Sequence, residues 1–211
     1  MKLRIIIADD HSVVRSGLNQ ILSEQPDLQV IAEFSNGSDI IDFLKNSKAD
    51  LLIMDLSMPN KGGLEVLSEL RQLDIEIPVL ILSMHSEESY GLRVLKAGAA
   101  GYLTKESAPD ELLTAVRKIL SGGKYISENL RDKLLEELEG GKIFKPHENL
   151  SDREYQVMIL IAGGKTVSEI ADKLNLSTPT ISTYRSRILE KLNLKNNAEI
   201  TYYALKNRLL D

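Results

Sequence analysis

The segment Leu51-Leu52-Ile53-Met54-Asp55 decides the fold, because it is a short, continuous apolar run that closes on a carboxylate. Such a run predicts a strand buried on both faces of a parallel sheet. A second run, from Leu3 to Ala8, ends in the pair Asp9-Asp10. Ligands bind at the carboxyl ends of the strands in these sheets, so three carboxylates are expected at one rim. Close negative charges favour a bound cation, and carboxylate oxygens suit Mg²⁺.

Each acid also has a simpler interpretation, with Asp9 or Asp10 as a cap of the next helix and Asp55 as a residue of an ordinary loop. Two further apolar runs that end in polar residues favour the first interpretation, in which the acids share one rim of the sheet. Another run closes on Ser83 and a fourth, residues 99–104, closes on Lys105. Strand and helix patterns alternate five times, which predicts an α/β fold with a doubly wound, five-stranded parallel sheet. The apolar faces of the intervening helices comprise Val14, Leu18, Ile21 and Leu22; Leu64, Leu67, Leu70 and Leu73; and Leu112, Leu113, Val116 and Leu120.

Composition narrows the class of protein. The 211 residues are 43% hydrophobic, and no apolar run is long enough to span a bilayer. The chain begins directly with a predicted strand, so no signal peptide is expected, and a cytoplasmic setting follows. The absence of cysteine excludes disulfides, thiol catalysis and thiolate zinc sites.

The distribution of charge and the positions of paired glycines predict two domains. Residues 149–211 hold nine Lys and Arg against seven Asp and Glu, a net charge of +2. Because the whole chain has a net charge of −5, residues 1–148 have a net charge of −7. We expect one domain over 1–121, a linker with a helix over 122–148, and a second domain over 149–211. Paired glycines flank the linker leucines Leu130, Leu134, Leu135 and Leu138, with Ser127 as a candidate cap.

The second domain is predicted to contain four helices. Ser151 with Glu154, and Thr166 with Glu169, form capping boxes. Ser177 begins a third helix after a tight turn, and two helices joined this way indicate a helix-turn-helix. The alternative is a small helical interaction module. On the third helix Ile181, Ile188 and Leu192 share one side, Arg185 borders it and extends outward, and the opposite side holds Ser182, Thr183, Ser186 and Arg187.

Three segments resemble the receiver domains of bacterial two-component response regulators. They are Ile5-Ile6-Ile7-Ala8-Asp9-Asp10-His11, Met54-Asp55-Leu56-Ser57-Met58-Pro59 with Gly63-Leu64-Glu65, and Gly98 to Lys105. The resemblance implies a flavodoxin-like fold in which Asp55 accepts a phosphoryl group from a sensor histidine kinase. It implies that Asp10, Asp55 and the Ser57 backbone carbonyl ligate Mg²⁺, with Asp9 acting through water. It further implies that Ser83 and Lys105 bind the phosphoryl group, whose charge needs such partners.

Residues 150–184 resemble the LuxR-type DNA-binding domain, and the two domains in this order resemble the NarL/FixJ class of response regulators. The resemblance implies a transcription regulator, not an enzyme in the usual sense, that binds promoter half-sites as a homodimer when phosphorylated. It implies that Ser182, Thr183 and Ser186 face bases. Phosphate contacts are expected from Thr180, Tyr184, Arg187 and Lys191.

Several points stay open from the sequence. Glu106 stands where receivers most often have proline, so the isomer of the Lys105–Glu106 bond is undetermined. His85 either tunes the lifetime of the phosphoryl group or is an ordinary loop residue. Tyr102 is either the aromatic switch implied by the resemblance or a plain strand residue. The alternatives for the whole chain are a Mg²⁺-dependent phosphohydrolase and a phosphorylation-independent DNA binder with a vestigial receiver.

Overall fold

A computed structural model describes residues 2–138 and 146–210. The chain divides into two compact units, Met1–Lys133 and Leu134–Asp211. The first unit therefore extends past residue 121, where we expect the first domain to end. The Gly140-Gly141 pair expected near the end of the linker lies outside the described residues. Among the helices that are described, none is both long and apolar enough to cross a membrane.

A five-stranded parallel sheet forms the centre of the first unit. Its strands are β1 (Leu3–Ala8), β2 (Leu28–Phe34), β3 (Leu51–Asp55), β4 (Val79–Ser83) and β5 (Gly101–Thr104). Their spatial order is β2-β1-β3-β4-β5, the flavodoxin-like order, which confirms the predicted fold. Because β1 lies beside β3, with Ala8 opposite Met54, the acids that follow these strands meet at one rim.

The sequence pattern does not identify β2. This strand lies at one edge of the sheet, and only Leu28 among its residues is fully buried. The four strands that the pattern does identify have runs of buried residues, and β3 and β4 are buried throughout. A short apolar run therefore marks the buried strands, including β5 at the other edge of the sheet, whereas the half-exposed β2 has no comparable signal.

Helices cover both faces of the sheet. They are α1 (Ser12–Ser23), α2 (Gly37–Asn46), α3 (Gly63–Gln72), α4 (Glu87–Lys96) and α5 (Ala108–Leu120). α1 and α5 contact each other over one face, where Ile5, Ile53 and Leu80 join a core with Leu18 and Leu112. α2 contacts α3, and α4 packs against β5. α6 (Glu128–Leu138) follows, with the Leu130 N–H bonded to Ser127 Oγ at 3.1 Å, as the predicted cap requires.

The second unit contains the four helices expected from the sequence: α7 (Asp152–Ala162), α8 (Val167–Leu174), α9 (Thr178–Leu192) and α10 (Asn197–Lys206). Both capping boxes are present. Asn175 ends α8 in the left-handed conformation, at φ 52°, so the chain turns sharply before Ser177 caps α9. α9 packs on α7 and α8 through an apolar side formed by Ile181, Ile188 and Leu192. The helix-turn-helix arrangement follows from these local signals.

Candidate functional site

Buried charges meet where β1, β3 and β5 end. The Lys105 ammonium nitrogen lies 2.7 Å from Asp9 Oδ2 and 2.9 Å from Asp55 Oδ2. The Lys105 side chain is 7% exposed and the two carboxylates are less exposed still. Asp9 Oδ2 has this ion-pair contact, but no hydrogen bond of good geometry completes its shell. Two carboxylates and one ammonium leave excess negative charge in a poorly solvated place, so the pocket favours additional positive charge.

Burial and the neighbouring charges also shift the pKa values of Asp55 and Lys105. Burial raises the pKa of the Asp55 carboxyl, and the Asp9 charge adds to the rise although Lys105 opposes it. Burial alone lowers the pKa of Lys105, but hydrogen bonds and attraction to the two carboxylates outweigh burial, and the net shift is upward. Both groups therefore bind protons more tightly than usual, as expected where negative charge is in excess.

The donor set at the rim fits a divalent cation. One ligand atom from each of Asp9, Asp10, His11 and Asp55 lies within 4.8 Å of all the others. The three predicted acids supply the oxygen ligands that Mg²⁺ prefers. His11, which was not in the predicted set, contacts two of the acids. Its ring Nδ1 lies 2.7 Å from Asp10 Oδ1, and its backbone N–H donates to Asp9 Oδ1 at 2.8 Å.

Arg15 is a second residue that sequence reasoning missed. Its Nη1 donates to the backbone carbonyl of Asp9 at 2.5 Å, and the Asp9 N–H donates to the Phe34 carbonyl at 3.0 Å. The Arg15 Nε is 3.7 Å from Glu33. These bonds tie the chain at Asp9 to α1 and to β2. The spacing from Asp9 to Arg15 carries no metal-ligand or catalytic signal, so only the folded chain reveals this contact.

The predicted hydroxyl and backbone partners lie at the same rim. The Ser57 N–H donates to Asp55 Oδ1 at 3.1 Å. Ser83 is fully buried, and its carbonyl accepts the Lys105 N–H at 2.7 Å. The Ser83 Oγ accepts the His85 N–H at 3.0 Å. Ser83 is thus bonded both to Lys105, directly after β5, and to the loop that precedes α4.

The loop after Ser83 is also bonded to Tyr102. The Tyr102 side chain is 3% exposed, and its hydroxyl donates to the His85 carbonyl at 2.8 Å. The His85 ring is half-buried and stacks on Tyr90, with 4.9 Å between centroids. Tyr102 therefore occupies an inward position. The Lys105–Glu106 bond, whose isomer the sequence leaves open, is trans.

The face predicted for DNA contact is the solvent-exposed side of α9, where Ser182, Thr183, Ser186 and Arg187 are all exposed. Thr180 and Tyr184 are half-buried at its margins. The Arg185 Nε donates to Asn197 Oδ1 at 2.6 Å, next to the apolar side.

Lys191 differs from the other predicted phosphate contacts. Its Nζ lies 2.6 Å from Glu154, whose side chain is 3% exposed, in the capping box of α7. An intradomain ion pair therefore already uses this ammonium.

Comparison with known proteins agrees with both halves. Residues 5–117 match the response regulator receiver domain, and residues 148–204 match the LuxR family of bacterial regulatory proteins. The chain is 36% identical to response regulator UvrY of Escherichia coli K12, covering 98% of this chain and 95% of UvrY. It is 38% identical to oxygen regulatory protein NreC of Staphylococcus haemolyticus, covering 99% and 100%.

Solved structures give the same result. The RcsB response regulator of Salmonella typhimurium superposes with a TM-score of 0.69 at 29% identity, covering 98% of each chain. RcsB of Salmonella enterica bound to the rprA promoter with the phosphomimetic BeF3⁻ gives a TM-score of 0.65 at 30% identity, covering 96% and 98%. With the paired domain matches and the full-length identity to UvrY, these results show that the chain belongs to the NarL/FixJ family of two-component response regulators, with a receiver domain and a LuxR-type DNA-binding domain.

Proposed function

We propose that Asp55 is the phosphoacceptor and that its phosphorylation controls DNA binding by α9. The observation that carries the proposal is the placement of Lys105, whose ammonium joins Asp9 and Asp55 in a buried pocket of a receiver-family chain. A carboxylate oxygen of Asp55 attacks phosphorus, the new O–P bond forms, and the bond to the donor, a histidine of a sensor kinase, breaks. The receiver thus catalyses its own phosphorylation without being an enzyme with an outside substrate.

A divalent cation, Mg²⁺ by the chemistry of the donors, would be held by Asp10, Asp55 and the Ser57 carbonyl, with Asp9 acting through water. When bound it neutralises charge on the phosphoryl oxygens. The chain's own residues do the rest. His11 and Arg15 hold the acids in place. Lys105 attracts the transferred oxygens, and the Ser83 hydroxyl, whose oxygen accepts the His85 N–H, donates its proton to one of them.

The DNA-binding half would act through the exposed side of α9. We assign base contacts to Ser182, Thr183 and Ser186, whose short side chains let the helix approach base edges. Phosphate contacts fall to Thr180, Tyr184 and Arg187, with Lys191 as an additional candidate. RcsB, a structural relative, is described bound to promoter DNA.

The domain plan that accompanies this function is a receiver over 1–121, a linker over 122–148 and a DNA-binding domain over 149–211. A homodimer would form on phosphorylation, because two copies of such a domain read two half-sites about one helical turn apart. RcsB is described as two dimers bound to two parallel DNAs. Chromosomal DNA as the target places the function in the cytoplasm.

Labelling with a small phosphodonor tests the acceptor. Asp55→Asn protein should take up no label in the presence of Mg²⁺, whereas the wild type does. Asp42→Asn is the matched control, because Asp42 is exposed on α2 and its carboxylate contacts only the neighbouring Lys45 among the described residues. Label that persists on Asp55→Asn protein would refute the assignment.

Mass and DNA affinity, measured with and without a beryllofluoride adduct at Asp55, test the consequence. The proposal expects both to rise. A vestigial receiver would leave both unchanged, and a phosphohydrolase would turn over a phosphoester without any change in DNA affinity. Unchanged mass with raised affinity would contradict the dimer alone.

A further inference from the structure

His11 places an imidazole nitrogen among the acids of the rim. Its ring Nδ1 lies 2.7 Å from Asp10 Oδ1 and 3.1 Å from Asp9 Oδ1. The Asp9 side chain is fully buried and the His11 side chain is 62% exposed, so the ring lies on the solvent side of that carboxylate. Among the described residues, Asp9 and Asp10 are the only polar partners of the ring. The ring is therefore bonded only to groups that can themselves hold a cation.

The backbone of His11 is held at both of its peptide groups. His11 is the N-cap of α1, and its N–H donates to Asp9 Oδ1 at 2.8 Å, while its carbonyl accepts the Arg15 N–H at 3.1 Å. An N-cap side chain commonly accepts a bond from the first turn of its helix. Within the described chain, the His11 side chain makes no such bond. Its ring is thus directed at the carboxylates and is not used to cap the helix.

The spacing of these donor atoms matches that of neighbouring ligands on one metal ion. Two metal–ligand bonds of about 2.1 Å that meet at a right angle place their ligand atoms about 3.0 Å apart. The two distances from His11 Nδ1, 2.7 Å and 3.1 Å, lie on either side of this value. Asp55 contributes a ligand atom within 4.8 Å of the others. Ionised carboxylates only accept hydrogen bonds, so Nδ1 carries the hydrogen in the present contacts, and a bound ion takes the place of that hydrogen.

A nitrogen ligand selects a different class of ion from an all-oxygen site. Mg²⁺ prefers oxygen ligands and keeps several waters, so it gains little from an imidazole. Zn²⁺ and Ni²⁺ bind imidazole well, and the affinity of sites with nitrogen and oxygen ligands generally rises from Mn²⁺ towards Cu²⁺. His11 adds a nitrogen to carboxylate oxygens that already suit Mg²⁺. The same pocket therefore has two ligand sets, one for each class of ion.

We propose that the rim also binds a late first-row divalent ion, with Zn²⁺ as the representative, through His11 Nδ1 in addition to the carboxylates of Asp10 and Asp55. Mg²⁺ uses the oxygens alone, whereas Zn²⁺ uses the oxygens and the imidazole, so the two ions compete for one place. Zn²⁺ usually takes four ligands and keeps fewer waters than Mg²⁺. Its capture displaces Mg²⁺ from Asp55 and makes phosphorylation depend on which ion is present. This inference rests on the cation site of the proposed function and assigns a second class of ion to it.

Calorimetric titrations of the full chain with Zn²⁺ and with Mg²⁺ test the added ligand. His11→Asn is the informative variant, because the Asn amide nitrogen reaches as far as Nδ1 and can still donate to Asp10, but it is not a metal ligand. The variant should weaken Zn²⁺ binding at least about tenfold more than it weakens Mg²⁺ binding, since the loss of an outer-shell partner alone costs about 10–100-fold in metal affinity. Affinities for the two ions that fall by the same factor, or that both stay the same, overturn the proposal.

Asp10→Asn is the matched control, because it removes an oxygen ligand that both ions use. It should weaken the binding of Zn²⁺ and of Mg²⁺ alike. If Asp10→Asn weakens neither ion, the cation site of the proposed function is wrong. If Asp10→Asn weakens both ions and His11→Asn has no selective effect on Zn²⁺, only the role of His11 is wrong.

Co²⁺, a paramagnetic substitute for Zn²⁺, reports on the metal–nitrogen bond itself. Proton NMR of the wild-type protein with Co²⁺ should show strongly shifted imidazole signals that disappear in both His11→Asn and Asp10→Asn. A histidine that only positions Asp10 would give no signals with the shifts of a bound imidazole. The absence of these signals from the wild-type protein overturns the proposal even if His11→Asn folds poorly, and so does their persistence in His11→Asn.

Discussion

The pocket of the receiver and the exposed side of α9 use charge in opposite ways. In the pocket, Lys105, Asp9 and Asp55 are withdrawn from water and paired with one another before any ligand arrives. On α9, Ser182, Thr183 and Arg187 face solvent. A buried charge is costly when it loses its partner, whereas an exposed one loses little. Changes in the pocket should therefore have large, coupled effects, and changes on α9 smaller, separable ones.

The largest effect is expected from Lys105→Ala. It leaves Asp9 and Asp55 buried without their ammonium, and breaking a buried pair costs about 3–5 kcal/mol. Mg²⁺ should restore part of this loss and raise the melting temperature of the variant more than that of the wild type. Some phosphoryl transfer to Asp55 survives, but the DNA response is lost, because the group that pairs with the phosphate is gone.

Thermal melts with and without Mg²⁺, together with labelling and DNA titrations, measure these effects. Lys45→Ala is the control, since Lys45 is an exposed partner of Asp42 on α2. An equal Mg²⁺ effect on Lys105→Ala and wild-type protein would show that Lys105 and the cation do not share the same carboxylates.

The same contrast explains how much the sequence could predict. Apolar runs that close on Asp9, Asp55, Ser83 and Lys105 predicted four of the five strands and the residues that their ends bring together. The capping boxes predicted the starts of α7 and α8, because caps depend on residues three apart.

Contacts between residues with no recognisable spacing were not predictable. Tyr125 pairs with β5 only once distant segments pack, and Arg15 contacts the nearby Asp9 carbonyl at a spacing that matches no motif. Lys191 is a further example, because its sequence position on a basic helix predicts a phosphate contact and says nothing of Glu154, 37 positions away. Sequence patterns report on one element at a time, so pairs between elements need the folded chain.

A smaller effect, confined to DNA binding, is expected from α9. Arg187→Ala should weaken binding to all sequences and lower the salt dependence by about one phosphate contact, a slope change of about 0.9. Thr183→Ala or Ser186→Ala should instead alter sequence preference, with the salt slope nearly unchanged. Titrations of specific and scrambled duplexes at several salt concentrations measure both quantities.

Lys206→Ala is the control for charge alone, since Lys206 is exposed on α10. If Arg187→Ala changed only sequence preference, or if Lys206→Ala matched its effect, the face assigned to α9 would be wrong. None of these variants should lower the free energy of unfolding by more than about 0.5 kcal/mol, because their side chains are exposed.

A modest effect, confined to stability, is expected from Glu154→Gln. It decides whether Lys191 belongs with the buried or the exposed charges. Burial raises the pKa of Glu154, but hydrogen bonds from Lys191 and Ser151 outweigh burial and the net shift is downward. A carboxyl with a lowered pKa stabilises the fold above its unfolded pKa, and this contribution is lost as pH falls through the folded value. Because Lys191 is 40% exposed, we expect a loss of only about 1 kcal/mol at pH 7.

The pH dependence and a double-mutant cycle complete the test. The stability difference between wild type and Glu154→Gln should shrink as pH falls below about 4.3, where the unfolded carboxyl protonates. Glu169→Gln, in a capping box with no described lysine ion pair, is the control for capping alone. If Lys191 serves mainly this ion pair, Lys191→Ala and Glu154→Gln are non-additive in stability, and Lys191→Ala leaves the salt slope of DNA binding unchanged. Additive losses with a slope lowered by about 0.9 would instead return Lys191 to the phosphate contacts of α9.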